Sequence, residues 1–430
     1  MAGAIRQCVV LVGGLGTRLG SLTATVPKPM LLVGGRPFLA WVLREALRYG
    51  VTDVLLLTGH LSDVVAEGLQ DLCSGLPDSV RITISQEPAP AGTGGALHHA
   101  APHLHDRFLL LNGDSLFDGD LPAALAAEDD LNVVGRLLLR RVTDASRYGV
   151  VELDGQQIIA FKERGAAGKP GTINGGIYLL DRRILDWTSS NCSLERDVLP
   201  HLAAAGLLRG TESDGWFIDI GIPEDLARAE QEVPAHLRRP ALFLDRDGVC
   251  NVDHGWVGTQ ERFEWMPGAI EAITLAHRRG CHVFLVTNQS GVARGLYSEA
   301  DVQALHRWML DTVLRAGGTL DDVRYCPFHP EAVLPGYRQV HPWRKPAPGM
   351  VLDLIRAWEL DRDRCALVGD QPTDMEAAAV AGIAGHLYRG GDLKTFIAPV
   401  LDRIAPPELA YRQRHVPLLA TSYLGGVSNG

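Results

Sequence analysis

The chain has 430 residues, with 41 basic and 51 acidic side chains for a formal charge of −10, and 46% hydrophobic against 21% charged residues. At roughly 100–200 residues per domain, this length leaves room for two or three domains and excludes a single small module. The acidic balance argues against general affinity for nucleic acid or anionic lipid, and the composition argues against large-scale disorder.

Short apolar runs alternate with helix-like stretches, the pattern of open α/β sheets, and the pattern occurs twice. In the first half, strands are expected at Val9–Val12, Val54–Thr58, Val80–Ile84, Phe108–Leu111, Val133–Leu139, Val150–Leu153 and Gly176–Leu180, with helices at Pro37–Tyr49, Thr93–Ala101 and Pro223–Glu232. The proline-bounded, basic stretch Val233–Pro240 reads as a linker. Beyond it, strands are expected at Ala241–Leu244, Val283–Thr287, Val323–Cys326 and Ala366–Val368, with helices near Pro267–Arg279, Glu299–Ala316 and Pro348–Glu359. The expected division is therefore a domain over 1–232, a linker over 233–240, a second domain over 241–405 and an irregular tail over 406–430.

Seven cysteines, an odd number without close pairs, suit a reducing compartment better than a disulfide-stapled scaffold. Gly13 and Gly14 interrupt the apolar run Cys8–Val12 before it becomes a signal segment, and no window approaches the roughly 20 apolar residues that span a bilayer. A cytoplasmic protein is expected.

The first chemistry-bearing stretch is Val9–Leu19, a strand entering a glycine-rich turn that carries Arg18. Glycines let backbone N–H groups approach an oxyanion, and an arginine neutralises phosphate bidentately. Pro27-Lys28-Pro29 then pins a second cation between rigid residues. Asp114, in Asn112-Gly-Asp, and Asp219, in Asp-Ile-Gly-Ile-Pro-Glu-Asp, each follow a buried strand, and two such carboxylates suit Mg²⁺ with substrate phosphates. Either aspartate alone would serve equally as a turn or helix cap.

Taken in order over about 230 residues, Gly-Gly-x-Gly-Thr-Arg, Pro-Lys-Pro, Asn-Gly-Asp, Asn174-Gly-Gly and Asp-Ile-Gly-x-Pro-Glu-Asp resemble the sugar-1-phosphate nucleotidyltransferases. The resemblance implies a Rossmann-like domain with a mixed sheet. It also implies in-line attack of a sugar-1-phosphate oxygen on the α-phosphorus of an NTP, without a protein nucleophile. By that likeness Gly13, Gly14, Gly16, Thr17 and Arg18 would hold the nucleotide phosphates, Lys28 would complete the cradle, and Asp114 and Asp219 would hold Mg²⁺. Glu87 and Gly92 would face the base. Guanine offers two adjacent N–H donors to one carboxylate, so Glu87 favours GTP; capping the helix near Thr93 is its alternative role. Glu163, Arg164 and Asn174 would meet the sugar phosphate. Arg164 stands where many relatives carry lysine, which makes Lys162 a neighbouring alternative.

The second half opens with Ala241-Leu-Phe-Leu-Asp245-Arg-Asp247-Gly, an apolar strand ending in two aspartates that face one way. A calcium loop would need further ligands ending in a glutamate at position twelve, which are missing. With Thr287 after a strand, Arg344-Lys345-Pro before a helix and Gly369-Asp370-x-x-x-Asp374, the set resembles the haloacid-dehalogenase phosphatase superfamily, implying a Rossmannoid fold. The resemblance implies that Asp245 attacks phosphorus, Asp247 acts as acid and base, and Thr287 and Lys345 anchor phosphoryl oxygens. Asp245, Asp247 and Asp370 would hold Mg²⁺, with Asp374 in support. About 40 residues separate Asp247 from Thr287 and about 58 separate Thr287 from Lys345, too few for a cap domain.

The loops around His254, Trp256, Asn288, Arg294 and Arg344 resemble those of heptose-1,7-bisphosphate 7-phosphatases, with histidinol-phosphate phosphatases as near kin; Asn288, Arg294 and Arg344 would then meet sugar phosphate. Such relatives usually carry a zinc loop. Here that ligand set is broken at Phe328 and Trp343, so aromatic packing is expected in place of structural zinc, with a metal gathered by Cys326, His329 and His341 as the alternative. The joint expectation is a bifunctional enzyme that releases the 7-phosphate of a heptose bisphosphate and then makes GDP-heptose from heptose 1-phosphate, as a monomer or homo-oligomer without nucleic-acid or membrane partners. The alternatives are another sugar-phosphate and NTP pair, a histidinol-phosphate-type phosphatase, or a non-catalytic sugar-nucleotide sensor.

Overall fold

The computed structural model describes residues 5–14, 16–73, 76, 80–126, 132–164 and 168–406; the expected tail from 407 on lies beyond these, and so do the side chains of Glu163 and Arg164. Eleven principal strands belong to the first half: β1 (Gln7–Leu11), β2 (Asp53–Thr58), β3 (Arg81–Gln86), β4 (Arg107–Asn112), β5 (Ser115–Phe117), β6 (Gly135–Val142), β7 (Gly149–Asp154), β8 (Gln157–Arg164), β9 (Gly171–Asp181), β10 (Leu208–Ser213) and β11 (Phe217–Asp219). Nine of them form one sheet in the order β3-β2-β1-β4-β9-β6-β10-β8-β7, while β5 and β11 make a separate antiparallel ribbon. β1 to β4 run parallel and β9 opposes both β4 and β6, so the sheet is mixed. Cys8, Val9 and Val10 of β1 are all fully buried, as a central strand covered on both faces requires.

The second sheet is wholly parallel. Its strands β12 (Ala241–Leu244), β13 (His282–Asn288), β14 (Asp322–Cys326), β15 (Cys365–Gly369) and β16 (Ala384–Leu387) lie in the order β14-β13-β12-β15-β16. The order reverses at β12, which puts its C-terminal end at the crevice where open α/β sheets bind ligands. Asp245 follows that end.

The expected linker is in large part helix. The first half includes helices α1 (Phe38–Leu47), α2 (Gly92–His99) and α3 (Pro223–Leu237), and α3 runs five residues beyond the expected stop at Glu232. Ala229, Val233 and Leu237 lie one turn apart and are buried in the first half's core, so the helical period continues through Pro234. Pro234 costs the helix one N–H, but its ring packs where a side chain on Gly34 would stand. Only 238–240 lie outside regular structure before β12.

The N-terminal ends of the second sheet dock on α1. Arg48 Nε donates to Asp321 Oδ1 at 2.7 Å, just before β14, and Asp321 Oδ2 accepts the Val283 N–H at 2.8 Å and lies 3.1 Å from His282 Nδ1. Arg239 bridges Glu45 on α1 at 2.8 Å and Asp118 at 3.2 Å. Thr319 Oγ1 donates to the Arg48 carbonyl at 2.6 Å, and Arg6 pairs with Asp311 at 2.7 Å. Burial opposes the Asp321 charge, but Arg48 and His282 outweigh it and hold the carboxyl well below the usual range. With those strand starts covered, the strand ends that carry the motifs face away from the seam.

Candidate active sites

In the first half, the β5–β11 ribbon does the assembling. Its register pairs Ser115 with Asp219, so Asp114, one residue before β5, meets Asp219 at the end of β11. Ile220 N–H closes the corner on the Asp114 carbonyl at 3.0 Å. Lys28 reaches between the carboxylates, 2.6 Å from Asp114 Oδ2 and 3.7 Å from Asp219 Oδ1. Burial raises the Asp219 pKa, and Asp114 adds to the rise while Lys28 opposes it. Gly113 fits here because a Cβ would stand 2.5 Å from the Leu11 carbonyl oxygen.

The glycine-rich turn leaves β1 and ends on a short 3₁₀ segment, Thr17–Thr23, with Gly16 at φ 57° as its cap. Arg18 and Thr17 are exposed, and Arg18 has no bond among the described residues. The Gly13 N–H donates to the Leu57 carbonyl at 3.0 Å, so this amide is spent within the fold. A side chain on Gly16 would collide with Thr23.

Glu87 follows β3. Its Oε2 accepts the Ala91 N–H at 3.2 Å ahead of α2, and its Oε1 packs on Gly59 and turns toward Gly13. Burial raises its pKa. It thus takes the loop-capping role with one oxygen and leaves the other beside the glycine turn. A Cβ on Gly92 would meet the Cys192 carbonyl oxygen at 2.6 Å, so packing of α2 against that segment already demands a glycine. Asn174 spends its amide within a bulge of β9: Nδ2 donates to Tyr178 OH at 2.7 Å, and Oδ1 accepts the Gly176 N–H at 3.0 Å. The bulge seats Gly176 against Ser115 and Asn112, beside the Asp114 corner, a common place for such a kink. Glu163 and Arg164 end β8, and Lys162 pairs with Glu152.

The second site gathers at the ends of β12, β13 and β15. Lys345 Nζ lies 2.8 Å from Asp245 Oδ2 and 2.6 Å from Asp374 Oδ1, and donates to the Val286 carbonyl at 3.0 Å. Oxygens of Asp245, Asp370 and Asp374 all lie within 4.8 Å of one another, the one such group among the described residues. Asp370 Oδ1 is buried without a partner. Burial pushes the Asp245 carboxyl up to about 7 against the pull of Lys345, with Asp374 and Asp247 adding repulsion; burial likewise raises Asp370. Converging oxygen donors short of positive charge fit Mg²⁺, with Asp374 rather than Asp247 as the third carboxylate.

Asp247 faces elsewhere. Arg246 Nη2 bridges both its oxygens at 2.9 Å, Gln289 Nε2 donates to Oδ2 at 2.8 Å, and Asn251 Nδ2 donates to Oδ1 at 3.1 Å. Gln289 also donates to Thr287 Oγ1 at 2.9 Å and is itself fixed by Tyr297 OH at 2.8 Å. These positioning residues escape sequence reading: Gln289 looks like part of a polar loop, and Arg246 like a spacer between two aspartates, although its side chain is fully buried. Asn288 clamps the Lys345 backbone at both ends, donating to its carbonyl at 3.1 Å and accepting its N–H at 3.0 Å. Arg294 lies 5.6 Å over the Trp256 ring, and Arg344 donates to the Phe328 carbonyl at 3.4 Å. In the loop between β14 and Lys345, His341 stacks on Phe328 at 4.6 Å and meets Trp343 edge-on at 6.0 Å. The Nδ1 atoms of His329 and His341 accept the N–H groups of Glu331 and Trp343.

Comparison with known proteins assigns each half separately. The nucleotidyl transferase family profile matches residues 7–236, and an HAD-hydrolase-like profile matches residues 342–401. A D-glycero-beta-D-manno-heptose-1,7-bisphosphate 7-phosphatase of Rhodopseudomonas palustris is 52% identical over 164 residues, covering 38% of this chain and 91% of the relative. A D-glycero-alpha-D-manno-heptose 1-phosphate guanylyltransferase of Aneurinibacillus thermoaerophilus is 33% identical over 234 residues, covering 54% of this chain and 100% of the relative. Its Campylobacter jejuni counterpart is 34% identical over 220 residues, covering 51% and 96%.

Proposed function

Because the chain belongs to the nucleotidyl transferase family through residues 7–236 and joins to it a homologue of the heptose-bisphosphate phosphatases, we propose that it carries out two consecutive steps of nucleotide-activated heptose synthesis. The observation that carries this reading is the presence in one chain of both residue sets, Lys28-Asp114-Asp219 and Asp245-Lys345-Asp370-Asp374. What the second site releases, the first consumes.

In the phosphatase half, an Asp245 oxygen bonds to the phosphorus of the 7-phosphate as the bond from phosphorus to the sugar oxygen breaks, and Asp247 gives that oxygen its proton. Asp247 then takes a proton from water, which attacks the aspartyl phosphate, frees phosphate and restores Asp245. Lys345 and Thr287 hold the phosphoryl oxygens, while Arg294 and Arg344 at the rim meet the far phosphate. In the transferase half, Arg18 and amides of the glycine turn hold the NTP phosphates, Glu87 faces guanine, and Lys28 steadies the sugar phosphate as its oxygen attacks the α-phosphorus. Mg²⁺, held by the carboxylates of each site, would neutralise charge on the transferring phosphoryl group.

The relatives' names differ at the anomeric carbon, beta for the phosphatase and alpha for the transferase. Consecutive action needs one anomer throughout. We assign alpha, because the phosphatase breaks a bond at C7, far from the anomeric centre, whereas the transferase builds on that centre. Pyrophosphate release from each anomer of heptose 1-phosphate, tested with GTP, ATP, CTP and UTP, examines this directly. Turnover of the alpha anomer with GTP is expected; turnover of the beta anomer alone, or of another NTP in preference, overturns the assignment.

A further inference from the structure

The seam between the halves holds a cavity of about 380 Å³ lined by both, away from either motif cluster. Arg36, Arg44, Leu47 and Leu72 come from the first half; Arg356, Trp358 and Glu359 come from the C-terminal end of the helix Gly349–Ala357 and the turn after it. Asp353, also in the lining, is taken by Arg324 Nε at 2.7 Å, so among the described lining residues Glu359 is the one carboxylate left to face three guanidiniums. Arg44 is buried, with Nη2 donating to the Trp358 carbonyl and Nε lacking any partner. The Arg356 side chain has no bond among the described residues. Arg36 lies 4.6 Å over the Trp41 ring and Arg44 lies 5.1 Å over Trp358. Stacking of this kind fixes a guanidinium plane, so that the N–H groups not already bonded stay aimed at an acceptor.

Glu359 has a left-handed backbone, φ 51°, at a helix end where glycine is usual. The side chain kept at that cost reaches Arg36 and lies 4.0 Å from Arg44, where an outside anion would sit. We propose that this cleft binds the phosphoryl group of a monosaccharide phosphate, which displaces the Glu359 carboxylate and bridges the two halves. The cavity falls within the ~300–1,000 Å³ range of small-molecule sites, room for a sugar phosphate, and Leu47, Leu72 and Trp358 offer an apolar wall to a sugar ring.

Crystals of the full chain soaked in tungstate, a phosphate mimic, locate the site by anomalous scattering. A peak is expected between Arg36, Arg44 and Arg356 as well as at the two active centres, and hexose 6-phosphate should displace the cleft peak at lower concentration than GMP. Arg36→Ala with Arg356→Ala should lose the cleft peak alone. Glu359→Gln should lower the tungstate concentration for half-occupancy there by roughly two- to fivefold, as expected from removing one partly exposed ion pair. Peaks at the active centres only, a cleft peak that survives the double variant, an unchanged half-occupancy, or prior displacement by GMP would each overturn the proposal.

Discussion

Asp245 and Asp114 belong to sites that share no side chain, so substitution should separate the two activities. Asp245→Asn is expected to lower phosphate release on the order of 10³-fold or more and to leave pyrophosphate release from heptose 1-phosphate unchanged; Asp114→Ala should do the reverse. Loss of both activities in either variant contradicts independent sites. Gln289→Ala should cost the phosphatase roughly tenfold in kcat, part of the ~10²–10⁴ that a positioned acid–base group supplies, because Asp247 and Thr287 both lose a fixed donor; a change confined to KM would contradict a positioning role. Residues whose chemistry is fixed by linear motif, such as Asp245, Lys345 and Asp370, were legible in the sequence. The direction in which Asp247 faces was not, since it depends on a buried arginine and a glutamine 42 positions away.

The helix Pro223–Leu237 marks where pattern and punctuation conflict. A proline at 234 suggested a break, yet the apolar face carried on, and burial decided the outcome. Leu237→Ala should therefore destabilise the protein by about 2–5 kcal/mol, the usual cost of truncating a buried leucine, measurable as a lower urea midpoint; an exposed linker residue would cost almost nothing. Strands with continuous apolar runs, such as Ala241–Leu244, were readable from sequence, as was the mixed character of the first sheet once the motifs were recognised. Leu208–Ser213 and Ala384–Leu387 were not, because one is largely polar and the other short with a glycine. Each is a strand because its neighbour in the sheet supplies hydrogen bonds, which local propensity does not encode.

The whole molecule is one docked body with its two sites opening away from a charged seam. Arg48→Met would leave the buried Asp321 carboxylate without its main partner, a loss of about 3–5 kcal/mol, and both activities should then lose heat resistance together. Thermal inactivation of each activity checks this; a variant in which both half-lives are unchanged would contradict a shared structural unit. Burial pushes His282 and His277 down to about 4. Each is neutral when folded, whereas the unfolded chain takes up protons below about pH 6.5, so their contribution is complete above that pH and is lost as pH falls toward 4. Urea midpoints at pH 7 and pH 5 should differ accordingly, with the lower value at pH 5.

Both halves bear on one claim, that a single chain turns heptose bisphosphate into a nucleotide sugar. Mass spectrometry of the products formed from the alpha anomer of heptose 1,7-bisphosphate, Mg²⁺ and an equimolar NTP mixture tests it most directly. GDP-heptose with stoichiometric phosphate and pyrophosphate is the predicted result. Accumulation of heptose 1-phosphate with no nucleotide sugar, or a nucleotide sugar that still carries the 7-phosphate, would contradict it.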